Sequence, residues 1–438
     1  MSNNCREKRI IESLRVGLIG EEGVTELTVG REKETKIINQ WIKEDDGSII
    51  VIGPYGMGKT HTNMYIQKTA LNEGYGVAYV QVGNESPLHK PAKIFQTIFQ
   101  NLKFQKNEVV LNIHEFIEEH IKESLKRELT ENHFTKNHFL RPVYNEAFCF
   151  FKEFNSIQSQ HYRKIWQYLL GKNPIRPLGI NYRIPNENFK TNANIYFNIL
   201  GSISLAAKEI GFKGIILLFD ELEKNDTQNK SSWKEKGEEF MEALGRVSKN
   251  DEILMNEYVG RYTEGFFGEE TQLQYSGTHL NKNKTKTVRE KNTKYEVYDA
   301  GVRYFPNYLD EKQISVGIKC AFSFVQGQGD NFLKKAQKMD FNEIVLSKLE
   351  KNHEEMLVKK IIQVYKTGFS EDHVFIEKFS NNESELIKIV MNKYNKNKKE
   401  DEAVRKLIRL TVSIMDFFRL HQQDDLELIL EELNLKFK

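Results

Sequence analysis

Gly53-Pro54-Tyr55-Gly56-Met57-Gly58-Lys59-Thr60 is the stretch of this chain whose residue types and spacing are most specific for chemistry. It matches the pattern G-x-x-x-x-G-K-[ST] in full. Glycines let the backbone curl so that successive N–H groups face inward on phosphate oxygens, and a helix starting at the end of the loop adds its positive dipole end. Lys59 is expected to reach the β- and γ-phosphates of a nucleotide and the Thr60 hydroxyl to ligate magnesium, so the expected ligands are ATP and Mg2+. His61 follows in the same turn and is counted with the loop as a cofactor contact. The competing explanation is a glycine-rich turn that happens to carry Lys and Thr. A strand before the loop and a helix after it argue against that.

A second group has the character needed to complete such a site. Gly214-Ile215-Ile216-Leu217-Leu218-Phe219 is an apolar run ending in Asp220-Glu221. Ligands of open α/β sheets bind outside the carboxyl ends of the strands, where an acidic pair can meet them. Asp220 is expected to hold magnesium through water and Glu221 to polarise the attacking water, with Glu223 a weaker competitor for the base. An acidic helix cap after a core strand is the alternative.

The elements that must position these groups are legible as patterns. Glu7 to Leu18 is helical and is broken by Gly17, Gly20 and Gly23; a second helix carries Ile37, Ile38, Trp41 and Ile42 on one face. Asp45-Asp46-Gly47 turns the chain into the buried run Ser48 to Ile52, and the loop follows directly. Lys59 to Asn72 reads as helix, Gly74 ends it, and Val77 to Val82 reads as strand. Strand, loop, helix, strand is the unit of a doubly wound α/β domain. Ile195 to Ile210 is a further helix, closed by Gly211. Lys59 and Asp220 lie 161 positions apart, far more than one strand-to-strand step requires. The excess falls in an insertion at about 95–185, rich in Phe, Tyr and Trp within helical patterns such as Ala147 to Phe154 and Tyr162 to Leu170. An aromatic core is the preferred explanation, a stacking platform for nucleic acid the other.

Composition narrows the class further. At 438 residues the chain has room for two or three domains, and 39% hydrophobic with 29% charged residues exclude a wholly disordered protein. A formal net charge of +2 gives no whole-chain field for a polyanion, so any nucleic-acid surface must come from local clustering. Cys5, Cys149 and Cys320 are too dispersed for a zinc site or a disulfide framework. The polar N-terminus lacks the apolar stretch of a signal peptide, and no run approaches the roughly 18 residues of a membrane span, which makes the cytoplasm the expected location.

Gly30-Arg31-Glu32 before a helix, the loop and the Asp-Glu pair together resemble the AAA+ class, near the origin-recognition and Cdc6-type ATPases. Gly30 and Arg31 thereby join the expected nucleotide contacts. Glu85-Ser86-Pro87-Leu88-His89-Lys90, Tyr168-Leu169-Leu170-Gly171 and Gly214 to Glu223 more narrowly resemble the BrxD family, ATP-binding proteins of bacterial BREX phage-defence systems. The resemblance implies an α/β P-loop NTPase: an N-terminal helix and arm (1–30), an AAA+-like parallel-sheet core carrying the insertion (31–346) and a C-terminal helical lid (347–438).

It also implies further site residues. The family has a Thr-Gly-Thr where this chain has Ser276-Gly277-Thr278, so Ser276 and Thr278 are its polar sensors, although an ordinary turn would carry the same residues. Phe341 to Leu346 is expected as the last core strand. Helices then follow over Met356 to Tyr365, Leu386 to Tyr394 and Val404 to Phe418. In the family a lid helix opens on Pro-Arg; Arg405 matches the arginine, Arg409 lies one turn on, and Val404 replaces the proline. Arg289 or Arg303 is the expected arginine finger if copies of the chain assemble. The basic stretch Lys282 to Lys294 is expected as a loop for DNA phosphates, aided by C-terminal basic residues, or as a merely solvated loop. The expected function is ATP hydrolysis driving a conformational cycle on or near DNA, with partner defence proteins and no membrane. The alternative is a nucleotide-gated scaffold with little hydrolysis.

Overall fold

The computed structural model describes residues 4–44, 47–129, 131–137, 139–173, 175–180, 189–228, 230–250, 259–263, 285–290, 293–302, 316–396 and 403–421. The chain divides into two compact units that its order interleaves. One comprises Met1–Asn39, Val51–Lys68 and Ile344–Lys438; the other comprises Gln40–Ile50 and Thr69–Glu343.

The first unit opens with helix α1 (Asn4–Arg15), the short α2 (Val24–Leu27) and the start of α3 (Glu32–Lys43), and ends with α13 (Lys351–Gly368), α14 (His373–Lys396) and α15 (Ala403–Leu420). Ile10, Ile11 and Leu14 of α1 share one buried cluster with Leu357, Ile361 and Tyr365 of α13 and Leu407, Met415 and Phe418 of α15. The N-terminal helix therefore shares its buried cluster with the C-terminal helices. Arg15 fixes the arrangement with a two-pronged bond to Asp416, Nε to Oδ2 at 2.9 Å and Nη2 to Oδ1 at 2.8 Å. The Tyr365 hydroxyl donates to the same carboxylate at 2.6 Å.

Among the described residues the strands form a seven-stranded sheet and a smaller three-stranded one. The larger is built from β1 (Ser48–Gly53), β2 (Tyr75–Gln81), β3 (Lys103–Lys106), β4 (Val109–Asn112), β5 (Gly214–Asp220), β9 (Ile318–Val325) and β10 (Asn342–Val345), in the order β10-β1-β9-β5-β2-β3-β4. β2, β5 and β9 run parallel. Every residue of β5 and β9 is buried, as strands covered on both faces require. The helix α4 (Lys59–Asn72) follows the loop after β1.

The insertion begins as expected with helix, α5 (Pro91–Asn101), but then departs from the helical pattern. β3 and β4 form an antiparallel hairpin that extends the main sheet beyond β2. Four-residue strands are too short for an alternation to be readable beside long helical stretches. Helices α6 (Ile113–Lys126), α7 (His133–Lys136), α8 (Arg141–Phe154) and α9 (Gln160–Leu169) follow. Their aromatic residues are largely interior. Phe104 stacks on Phe116 with centroids 4.0 Å apart, and Phe134 on Tyr144 at 4.9 Å. Helix α10 (Phe189–Glu209) returns the chain to β5, and α11 (Ser231–Ser248) follows it after a 3-10 turn, Leu222–Asn225.

The smaller sheet has the order β6 (Val259–Thr263), β8 (Thr293–Val302), β7 (Thr285–Glu290). The basic stretch expected as a loop is thus largely a hairpin, with Arg289 opposite Lys294 across the antiparallel pair β7–β8. Helix α12 (Asp330–Lys338) precedes β10. No helix among the described residues is long and apolar enough to cross a membrane. Cys5 and Cys149 are exposed and Cys320 is buried, all three as free thiols.

Candidate nucleotide-binding site

The glycine-rich segment lies between β1 and α4, in the strand-to-helix setting its chemistry needs. Gly56 (φ 74°) and Gly58 (φ 96°) are in the left-handed region that side chains disfavour, and this curls the backbone. Gly53 is required for another reason: a Cβ there would meet the Leu346 Cβ at 2.9 Å. The Lys59 ammonium lies back across the loop and donates to the carbonyls of Gly53 at 2.9 Å and Pro54 at 3.1 Å. Lys59 is only 9% exposed, so its charge is held in a poorly hydrated setting where an anion gains most from it. The Tyr55 ring flanks the same ammonium, with Nζ 5.3 Å from its centroid.

Arg31 braces the loop from outside. Its Nη2 donates to the Met57 carbonyl at 3.0 Å and the Ser347 carbonyl at 2.8 Å, while Nη1 pairs with Glu34 at 3.0 Å. Gly30 turns the chain into this position with φ 65°, and a Cβ there would collide with the His353 ring. His61, in the first turn of α4, is bonded to the Thr28 hydroxyl through Nε2 at 2.8 Å. That hydroxyl already donates to the Val24 carbonyl at 2.6 Å, so it accepts from His61, which places the imidazole proton on Nε2. Burial, and secondarily the charge of Arg31, push the His61 pKa down to about 4. The ring is neutral at ordinary pH. Loop, Gly30-Arg31 and His61 thus form one connected constellation within the first unit. The buried Lys59 ammonium and the curled backbone amides suit a phosphate group there.

The acidic pair belongs to the second unit and has its own support. Asp220 closes β5 and is 2% exposed; the Tyr79 hydroxyl donates to its Oδ2 at 2.7 Å, and the Glu221 amide to its Oδ1 at 2.9 Å. Glu221 takes a left-handed conformation (φ 59°), which turns its side chain out of the strand's alternation. Its carboxylate accepts from Gln81 Nε2 at 2.9 Å and is paired with Lys224. Gln81 stands opposite Asp220 in the parallel β2–β5 register. Sequence reasoning missed Gln81 and Tyr79 because the pairing of β2 with β5 across an insertion of this length is not written in local pattern, and it missed Lys224, three residues from Glu221, because a lysine at that spacing is ordinary surface charge. Glu223, the weaker candidate for the base, is buried in the 3-10 turn.

The remaining candidates are dispersed. Arg405 packs its side chain against Gly17, and Arg409 Nε donates to the Val16 carbonyl at 3.0 Å, so both meet the turn after α1. Ser276, Thr278 and Arg303 lie outside the described residues, and Arg289 is in β7.

No curated protein matches the chain. Residues 3–159, the segment that carries the loop, Arg31 and Gln81, match the family model described as BREX system ATP-binding protein BrxC/D.

Proposed function

We propose that the chain is a magnesium-dependent ATPase of the AAA+ type, in which nucleotide state drives a conformational cycle on or near DNA within a BREX phage-defence system in the cytoplasm. The observation that carries this is the braced loop: a full phosphate-binding pattern between strand and helix, tied through Met57 to Arg31. The match of residues 3–159 to a family model described as ATP-binding supports the choice of nucleotide.

The roles follow from the chemistry of each group. Loop amides from Gly53 to Gly58 and Lys59 hold the phosphates, and Arg31 keeps the loop in shape. Thr60 and Asp220 are the residues assigned to hold magnesium, which when bound would neutralise charge on the phosphates. Glu221 takes a proton from the attacking water, and Gln81 orients its carboxylate. Ser276, Thr278 and Arg405 are assigned to sensing the γ-phosphate. Arg289 or Arg303 serves a neighbouring copy if the chain assembles, and the β7–β8 hairpin with the C-terminal basic residues contacts DNA.

A second reading has its own observation. Lys224 pairs with Glu221 and so holds the carboxylate by its charge, as a nucleotide-gated switch that recruits a partner and barely hydrolyses would need. Steady-state ATP turnover with and without duplex DNA separates the two. The ATPase predicts that Glu221→Gln lowers kcat by at least about a hundredfold while nucleotide still binds, and that Lys59→Ala abolishes binding. Equal turnover in wild type and Glu221→Gln under both conditions would establish the switch instead.

A further inference from the structure

Helix α11 begins in an electrostatically unfavourable way. Its N-cap is Lys230, no side chain caps it, and its first turn holds no acid. The positive end of an 18-residue helix ordinarily attracts anionic groups, yet here it carries a lysine. Ser231 and Ser232 are exposed, with their amides at the open end. Lys230 Nζ stands 4.8 Å from the centroid of Trp233. Lys90 and Lys236 add positive charge close enough to depress the His89 pKa after the larger effect of burial. Glu235 is the nearest acid in the helix and is exposed, while Lys234 is matched by Asp226 at 3.1 Å.

An independent anomaly sits on the same turn. The His89 ring stacks on Trp233, 4.4 Å between centroids and 8° from parallel, and His89 is 8% exposed. Neither ring nitrogen has a hydrogen-bond partner among the described residues, although both are buried. A neutral imidazole has one N–H and one lone pair, and leaving either buried and unmet carries the full desolvation cost of that group. Stacking alone does not require a histidine there; a phenylalanine would stack without that cost. The imidazole therefore points to a partner that arrives at this turn.

We propose that the amino-terminal turn of α11 is a phosphate site for a nucleic-acid strand, formed by the amides of Ser231 and Ser232, by Lys230 and Lys90, and by the His89–Trp233 stack. It rests on the proposal that the protein works on DNA, and it locates a contact on residues other than those of the β7–β8 hairpin. The turn is joined to the acidic pair by the 3-10 segment Leu222–Asn225, whose Asn225 donates to the Lys234 carbonyl at 3.1 Å. A strand bound here is thus connected by a few residues to Glu221.

The test uses the full chain and a fluorescein-labelled oligonucleotide, single-stranded and duplex, with anisotropy read between about 50 and 200 mM salt. The double variant Lys90→Gln/Lys230→Gln is expected to bind about tenfold more weakly at low salt and to reduce the salt slope by about 2. His89→Phe keeps the stack but removes the unmet nitrogens; it is expected to weaken binding while raising the thermal midpoint by about 2 °C or more. A lowered midpoint with unchanged binding would make His89 a packing residue and overturn the assignment. If the wild type binds DNA and the lysine variant matches it in affinity and slope, while Lys286→Gln/Lys294→Gln loses binding, this site fails and the hairpin stands. No binding by the wild type to either oligonucleotide removes both. Inorganic phosphate competing far more strongly than chloride of equal ionic strength would make free phosphate the ligand and overturn the nucleic-acid assignment.

Discussion

At the scale of single residues, burial decides which groups beside the loop can change charge. His61 sits within the first turn of α4 with its ring nitrogen on Thr28, and burial with the nearby Arg31 keeps it neutral. Its folded pKa, about 4, lies below the unfolded value of 6.5, so the unfolded chain takes up the proton first. Stability is therefore intact above pH 6.5 and is lost as pH falls toward 4, by about 3 kcal/mol at most from this group, since one pKa unit is about 1.4 kcal/mol. His89 and His114 are shifted in the same direction, chiefly by burial, and add to the slope. Urea unfolding of wild type and His61→Gln between pH 7.5 and about 4.5 should show the variant losing a distinct part of the acid sensitivity. Parallel curves would mean that His61 is not held neutral. Glu209 acts further down the scale: burial pushes it up, but hydrogen bonds from His120 and His133 reverse this and leave it at about 2, so its contribution is present above pH 4.5 and fades below.

Elements are coupled where backbone and side chain come too close for a Cβ. Gly237 of α11 faces Asn225 of the 3-10 turn, and a Cβ there would lie 2.0 Å from the asparagine Oδ1. Gly237→Ala gains roughly 1 kcal/mol of helix propensity but must expel Asn225 from its bond to the Lys234 carbonyl, at a cost of about 1–3 kcal/mol. The expected net result is a lower thermal midpoint by a few degrees, read by calorimetry; a raised midpoint would show that turn and helix are not in contact. The sequence carried much of this layer. The β1, loop and α4 succession, β2 and β5 follow from apolar runs bounded by glycines, and α13 to α15 from helical periodicity. Three things were not legible. The β3–β4 hairpin is too short to leave an alternation, the register placing Gln81 opposite Asp220 is a long-range pairing, and the hairpin within Lys282 to Lys294 was hidden because a run of charge says nothing of strand pairing. The candidate site was legible for the loop and the acidic pair, whose spacing is local, and not for Tyr79 and Gln81, whose roles depend on which strands become neighbours.

At the scale of the whole molecule, the chain order and the compact units do not coincide, and one unit takes its residues from both ends of the chain. Arg15 and Asp416 are 401 positions apart and form the two-pronged bond that joins α1 to α15. Both side chains are about a third exposed or less, so Arg15→Ala is expected to cost roughly 1–2 kcal/mol, seen as earlier urea unfolding of the helical unit. A change within a few tenths would mean that the apolar cluster alone holds the helices. That cluster also sets a timetable for synthesis. Ile10, Ile11 and Leu14 leave the ribosome well before the residues that cover them in α15, which follow nearly 400 positions later; at about 5–20 residues per second that is a delay of roughly 20–80 s. For that interval this apolar stripe lacks the part of its cover that α15 supplies. The nascent protein must shelter it in a chaperone or in temporary contacts, and aggregation during expression should fall when translation of the middle of the chain is faster.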